Sequence, residues 1–216
     1  MTDADRLPAP LAAPLGDTAR MPSAVLAQLL YPERIWSRTE CLTRPSPVPA
    51  VPGVYAWYFR AALADVPTEG CHRHGDLTLL YVGISPRRPP ENGAQPSRQN
   101  LRKRIRNHYS GNAKGSTLRL TLGCLLSTQL GICLRRVGSG SRLTFATGEQ
   151  RLSEWMETNA YVCWASTADP RHEEIRLIGN LVLPLNIEGN KHTFCRALSA
   201  IRSGAKAHAA SLPVLV

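Results

Sequence analysis

The sequence predicts an α+β domain built on a small central antiparallel β-sheet of about three strands flanked by helices. Two observations carry this. Two runs rich in β-branched and aromatic residues, 51–60 and 77–84, follow each other without a helical pattern between them, so they are placed to pair as an antiparallel meander. Three helical patterns then intervene before the next strand, so the order is strand, strand, helix, helix, helix, strand, helix rather than the strict alternation of a doubly wound sheet. At 216 residues, with 43 % hydrophobic and 19 % charged residues, the chain is long enough for one well-cored domain and has nothing of a fibrous or wholly disordered composition.

Residues 1–48 read as a disordered leader carrying a short helix and a Pro-rich lead-in, 49–190 as the core domain, and 191–216 as a terminal helix and tail. The leader (1–20) has no periodicity. Val25, Leu26, Leu29 and Leu30 then make a helical stripe, and residues 41–52 are expected to be extended, with little to pack. The first strand, 51–60, is joined to the second, 77–84, by a long connection. Cys71, His72 and His74 cluster in that connection without a matching pair of ligands elsewhere, so a metal site there is disfavoured.

A helix over 99–109 is expected, with Leu101, Ile105 and Tyr109 as its buried stripe. Ser116 is placed to cap the next helix, 148–159 forms another, 161–165 is the third strand, and Pro170 marks a helix start. The last pattern, 191–208, puts Phe194, Leu198 and Ile201 inside and exposes Arg196, Arg202, Lys206 and His208.

Charge is the clearest functional signal. The net charge is +10, and between Pro86 and Arg136 eleven basic residues face a single acid, Glu91, leaving 15 of each sign elsewhere. Arg87, Arg88, Arg98, Arg102, Lys103, Arg106, Lys114 and Arg119 are therefore expected to track a polyanion, nucleic acid first, against the plainer reading of a solvated helix face. No apolar run is long enough to span a membrane, and Asp3, Asp5 and Asp17 stand where a signal peptide would be basic and then apolar, so a soluble, cytoplasmic protein is expected. Six scattered cysteines with no C-x-x-C spacing read as reduced, mostly buried thiols.

Several short motifs fall on these elements. Gly53-Val54-Tyr55 lies in the first strand and Tyr81-Val82-Gly83 near the end of the second. Arg104 and His108, four apart, share a helix face beside the buried stripe. Glu174 shares a stripe with Leu177, Ile178 and Leu181, which aims a carboxylate toward the core, where it needs either an ion-pair partner or a hard divalent cation. Pro184-Leu185-Asn186 follows.

Taken together, the two strand tyrosines, the L-x-x-R-x-x-x-H helix (Leu101 to His108), the E-x-x-L-I helix (Glu174 to Ile178) and the P-L-N segment resemble the GIY-YIG nucleases, in the right order over residues 51–190. The resemblance implies a metal-dependent cut of a phosphodiester bond. Tyr55 and Tyr81 would position and deprotonate the attacking water, for which their pKa values would have to be lowered by neighbouring cations. Arg104 would bind the scissile phosphate, His108 would assist proton transfer or orient a tyrosine, Glu174 would hold Mg²⁺ or Mn²⁺, and Asn186 would brace the site. The partner implied is nucleic acid, DNA rather than RNA. The alternative is a non-catalytic nucleic-acid-binding module on the same fold.

Overall fold

The computed structural model describes residues 23–60, 63, 65–87 and 97–215. The expected leader, 1–20, and Arg88 lie outside the described residues.

In chain order the elements are α1 (Ala24–Leu30), α2 (Arg38–Leu42), β1 (Gly53–Phe59), β2 (Arg73–His74), β3 (Leu77–Ser85), α3 (Leu101–Ser110), α4 (Thr117–Leu125), α5 (Ser127–Leu130), β4 (Arg135–Val137), β5 (Arg142–Thr144), α6 (Gly148–Asn159), β6 (Ala160–Ser166), α7 (Pro170–Asn180) and α8 (Phe194–Ser211). The expected α+β architecture is present. The main sheet has four strands rather than three, ordered β2-β3-β1-β6 and antiparallel throughout, and β4 and β5 form a separate two-stranded hairpin.

Both faces of the sheet are covered, which is why every residue of β1 is buried and no polar alternation marks it. Tyr55, Trp57 and Phe59 pack on one side with Leu101 and Ile105 of α3, Leu152 of α6 and Leu198 of α8. Val54, Ala56 and Tyr58 pack on the other with Leu29 of α1 and Leu177 of α7. The stretch around residues 41–52, expected to offer little packing, contributes Cys41 and Val48, 4 % and 1 % exposed, to the first of these cores. Isolated apolar side chains between prolines carry no period, so they give no warning of burial.

Local chemistry fixes the helix starts that position the site. The Asn100 side chain accepts from Lys103 N to open α3, Ser116 accepts from Arg119 N to open α4, and Asp169 accepts from His172 N with Pro170 in the first turn of α7.

The outer edge of β3 beyond Leu79 has no partner strand among the described residues. The Pro184–Asn186 segment runs along it instead: Leu185 N donates to Leu80 O (3.1 Å), Val82 N donates to Asn186 Oδ1 (2.9 Å), and Asn186 Nδ2 donates to Val82 O (2.9 Å). The side-chain amide thus does for Val82 what a neighbouring peptide would do.

Candidate active site

A cleft of about 600 Å³ lies alongside β3, and Tyr55, Tyr81, Arg104, Glu174 and Asn186 all line it. The sheet brings the tyrosines, α3 the arginine, α7 the carboxylate, and the segment between α7 and α8 the asparagine. His108 sits immediately behind, fully buried.

Four side chains form one hydrogen-bonded chain. Ser116 Oγ is 2.7 Å from His108 Nδ1, His108 Nε2 is 2.9 Å from Tyr55 Oη, and Arg104 Nε donates to the same phenol oxygen at 3.3 Å. Arg104 Nη1 is steadied by the Gly115 carbonyl at 3.0 Å. The Tyr81 ring lies 6.5 Å from the imidazole, and Trp57 closes its edge at 5.7 Å. Ser116, expected only as a helix cap, also anchors the histidine. No residue pattern distinguishes that second use, because it depends on the turn joining α3 to α4.

Two glycines make the arrangement possible. A Cβ on Gly83 would lie 2.5 Å from Tyr55 Oη, so the phenol can cross its partner strand only where a side chain is missing. A Cβ on Gly53 would lie 2.4 Å from the Ala165 carbonyl oxygen and 2.7 Å from Leu101 Cδ1, at the junction of β1, β6 and α3.

Arg104 by itself does not lower the two strand phenols. Burial raises the Tyr55 phenol above its ordinary range, and although Arg104 opposes the rise, it does not overcome it. Tyr81 is raised as well, by burial first and by Tyr55 second. The chain's own cations therefore leave both phenols protonated at neutral pH, because removing them from water outweighs one nearby guanidinium. The charge of Glu174, which lines the same cleft, opposes ionisation of both. His108 is held well below the usual imidazole range, by burial and then by Arg104 and Arg119, and is neutral at pH 7. Arg104 is raised further despite its burial, because Tyr55, Tyr81 and Glu174 favour its charge.

The expected basic row divides. Arg98, Arg102, Lys103, Arg106 and Lys114 are exposed on and around α3, and Arg87 is exposed at the cleft wall. Arg119 does not belong to that surface. It is 0 % exposed, with Nε and Nη2 on Glu149 Oε2 at 3.0 and 2.8 Å and Nη1 on the carbonyls of His108 and Tyr109. Its ion-pair partner lies 30 residues away, so sequence gave no sign of it. Arg135 and Arg136 bond carbonyls at the end of the chain, Pro213 O and Leu212 O among them, so they too serve structure rather than a surface. His72 Nε2 donates to Leu30 O at 2.8 Å, and among the described residues no cluster of three His, Cys, Asp or Glu is poised to hold a metal ion.

An α+β domain whose two strand tyrosines, arginine–histidine helix and glutamate helix meet in one polar cleft has the form of a nuclease-type catalytic domain. The chain belongs to the GIY-YIG family: the family model described as the GIY-YIG catalytic domain matches residues 53–204. Neither a curated protein nor a solved structure matches it. The family implies nucleic acid as the substrate. Among the described residues no helix is long and apolar enough to cross a membrane.

Proposed function

We propose that the chain is a divalent-metal-dependent endonuclease that hydrolyses phosphodiester bonds, with DNA as the expected polymer. The observation that carries this reading is the continuous Ser116–His108–Tyr55–Arg104 chain opening into the cleft that Glu174 also lines.

The donor set fits the metal the family implies. Glu174 offers a hard oxygen, and the lack of a clustered protein cage among the described residues suits Mg²⁺ or Mn²⁺, which take one or two carboxylates and complete their shell with water and substrate phosphate. Such an ion at Glu174 would offset charge on the phosphate and on the leaving oxygen.

The remaining work falls to the chain's own groups. Arg104 presents its remaining guanidinium N–H groups to a phosphate oxygen, the pairing for which a planar fork is suited. With Nδ1–H donated to Ser116 Oγ, His108 Nε2 is an acceptor facing Tyr55 Oη. As the phenol oxygen takes a proton from the attacking water, its own proton passes to Nε2, so no free phenolate is required; the imidazole takes that proton against its burial and the charges of Arg104 and Arg119. Asn186 holds β3, and with it Tyr81, in register.

The test is cleavage of plasmid, branched DNA, single-stranded DNA and RNA with Mg²⁺ or Mn²⁺, comparing wild type with Glu174→Ala and Arg104→Ala. Metal-dependent cutting lost in both variants is the expected result. Salt-sensitive binding without cutting by the wild type would instead mark a non-catalytic binding module.

A further inference from the structure

The C-terminal helix brings a charged residue into the cleft that the motif pattern does not assign. Along α8 the inward positions are Leu198, Arg202, Ala205 and Ala209, spaced i, i+4, i+7 and i+11, with Leu198 and Ala209 fully buried and Arg202 and Ala205 half-buried. An arginine thus occupies a stripe position where an apolar residue is the norm. Its neighbour Ile201, expected inside, is 36 % exposed. The helix is therefore rotated from the expected phase, and the rotation carries Arg202 into the wall of the cleft that holds Tyr55, Tyr81, Arg104 and Glu174.

Arg202 Nε is buried and has no hydrogen-bond partner among the described residues. A guanidinium N–H taken from water without an acceptor is costly; Arg135 Nε is buried without a partner too, but of the two only Arg202 lines the cleft, where a ligand can supply the oxygen. Arg104, the other arginine against the phenols, is already committed at Nε and Nη1 to Tyr55 and Gly115. Arg202 and Tyr81 line the same cleft, and the Arg202 charge opposes the effect of burial on that phenol. Glu188 lines the same cleft, so the wall that includes Arg202 is mixed in charge rather than a diffuse basic patch.

We propose that Arg202 is a second phosphate-binding arginine of this cleft, donating to a non-bridging oxygen of the nucleic-acid backbone. The inference rests on the nuclease reading for the identity of the anion. It makes α8 part of the substrate site.

The deciding experiment measures binding of a labelled DNA duplex by fluorescence anisotropy in EDTA over a salt titration, for wild type, Arg202→Met, Arg202→Lys and Arg142→Met, the last removing an equal charge from an exposed position on β5. Arg202→Met should weaken binding about 10-fold and reduce the log–log salt slope by about 1, with Arg202→Lys between it and wild type and Arg142→Met within about twofold of wild type. Where the wild type cuts, Arg202→Met should also lose about 10- to 100-fold in kcat/KM. Wild-type affinity and slope in Arg202→Met, or an equal loss in Arg142→Met, would overturn the proposal. If Arg202→Met lowers the melting temperature, Arg202→Gln, which keeps a polar tip in the cavity, provides the same readout. A wild type that cuts nothing would defeat the nuclease reading alone, because the binding series still decides the role of Arg202.

Discussion

Replacing Arg119 by methionine should be among the most damaging single changes in the protein, although the residue never reaches the substrate. The guanidinium is fully buried and makes two bonds to Glu149 Oε2, one to the Glu149 carbonyl, one to Ser153 Oγ at 3.1 Å and two to the carbonyls that end α3. Methionine fills the stem but leaves Glu149, a carboxylate with a side chain only 15 % exposed, without its cation. Breaking one side of a buried pair costs about 3–5 kcal/mol, a large share of the roughly 5–15 kcal/mol that holds a domain folded. With a urea slope of about 2 kcal/mol per molar, the midpoint should fall by about 1.5–2.5 M. In Arg119→Met/Glu149→Gln the amide still accepts from Ala113 N or Phe145 N, which Glu149 Oε1 serves in the native protein, and the double variant should recover at least about 1.5 kcal/mol of the summed losses. A midpoint shift worth less than about 1 kcal/mol, or strict additivity in the cycle, would refute the assignment of Arg119 to the interior.

Three other outcomes are expected. Gly83→Ala puts a methyl against the Tyr55 hydroxyl, so it should break the Tyr55–His108 contact and cost about 1–3 kcal/mol together with at least a 10-fold loss of cleavage; a variant of wild-type rate would disprove the close approach. Asn186→Leu orphans both the N–H and the C=O of Val82, for a loss of about 2–4 kcal/mol in chemical denaturation, whereas an unchanged midpoint would show the brace to be idle. Because the folded-state pKa of His108 lies below its unfolded value, the unfolded chain binds more protons in acid, so stability is fully present above about pH 6.5 and falls as pH drops through that value, by at most about 1.4 kcal/mol per pH unit per proton. Thermal melts between pH 8 and pH 4.5 should show that decline, and His108→Gln should flatten it.

Much of this molecule is legible without coordinates. The runs at 51–60 and 77–84 become β1 and β3, and the 148–159 pattern becomes α6, because each carries its own period or its own β-branched and aromatic content. The short pieces escape for the converse reason: β2 has two residues, β4 and β5 three each, and α5 four, too few to display any repeat. The phase of α8 misleads because alanine is a weak marker of the inward face, so Leu198 and Ile201 were the more persuasive pair while Ala205 and Ala209 set the true stripe. Arg119 could not be told from the exposed arginines around it, because charge is visible in a sequence and the depth at which it sits is not.

The two covered faces of the sheet give the site a divided support. Arg104 and His108 ride on α3, which is seated in the core of Tyr55, Trp57 and Phe59, while Glu174 rides on α7, seated through Leu177 in the separate core of Val54, Ala56 and Tyr58. Repacking one layer therefore bears first on the half of the site that it seats. The carboxylate and the phenol–imidazole–guanidinium set are in this way carried by different layers of a single small fold.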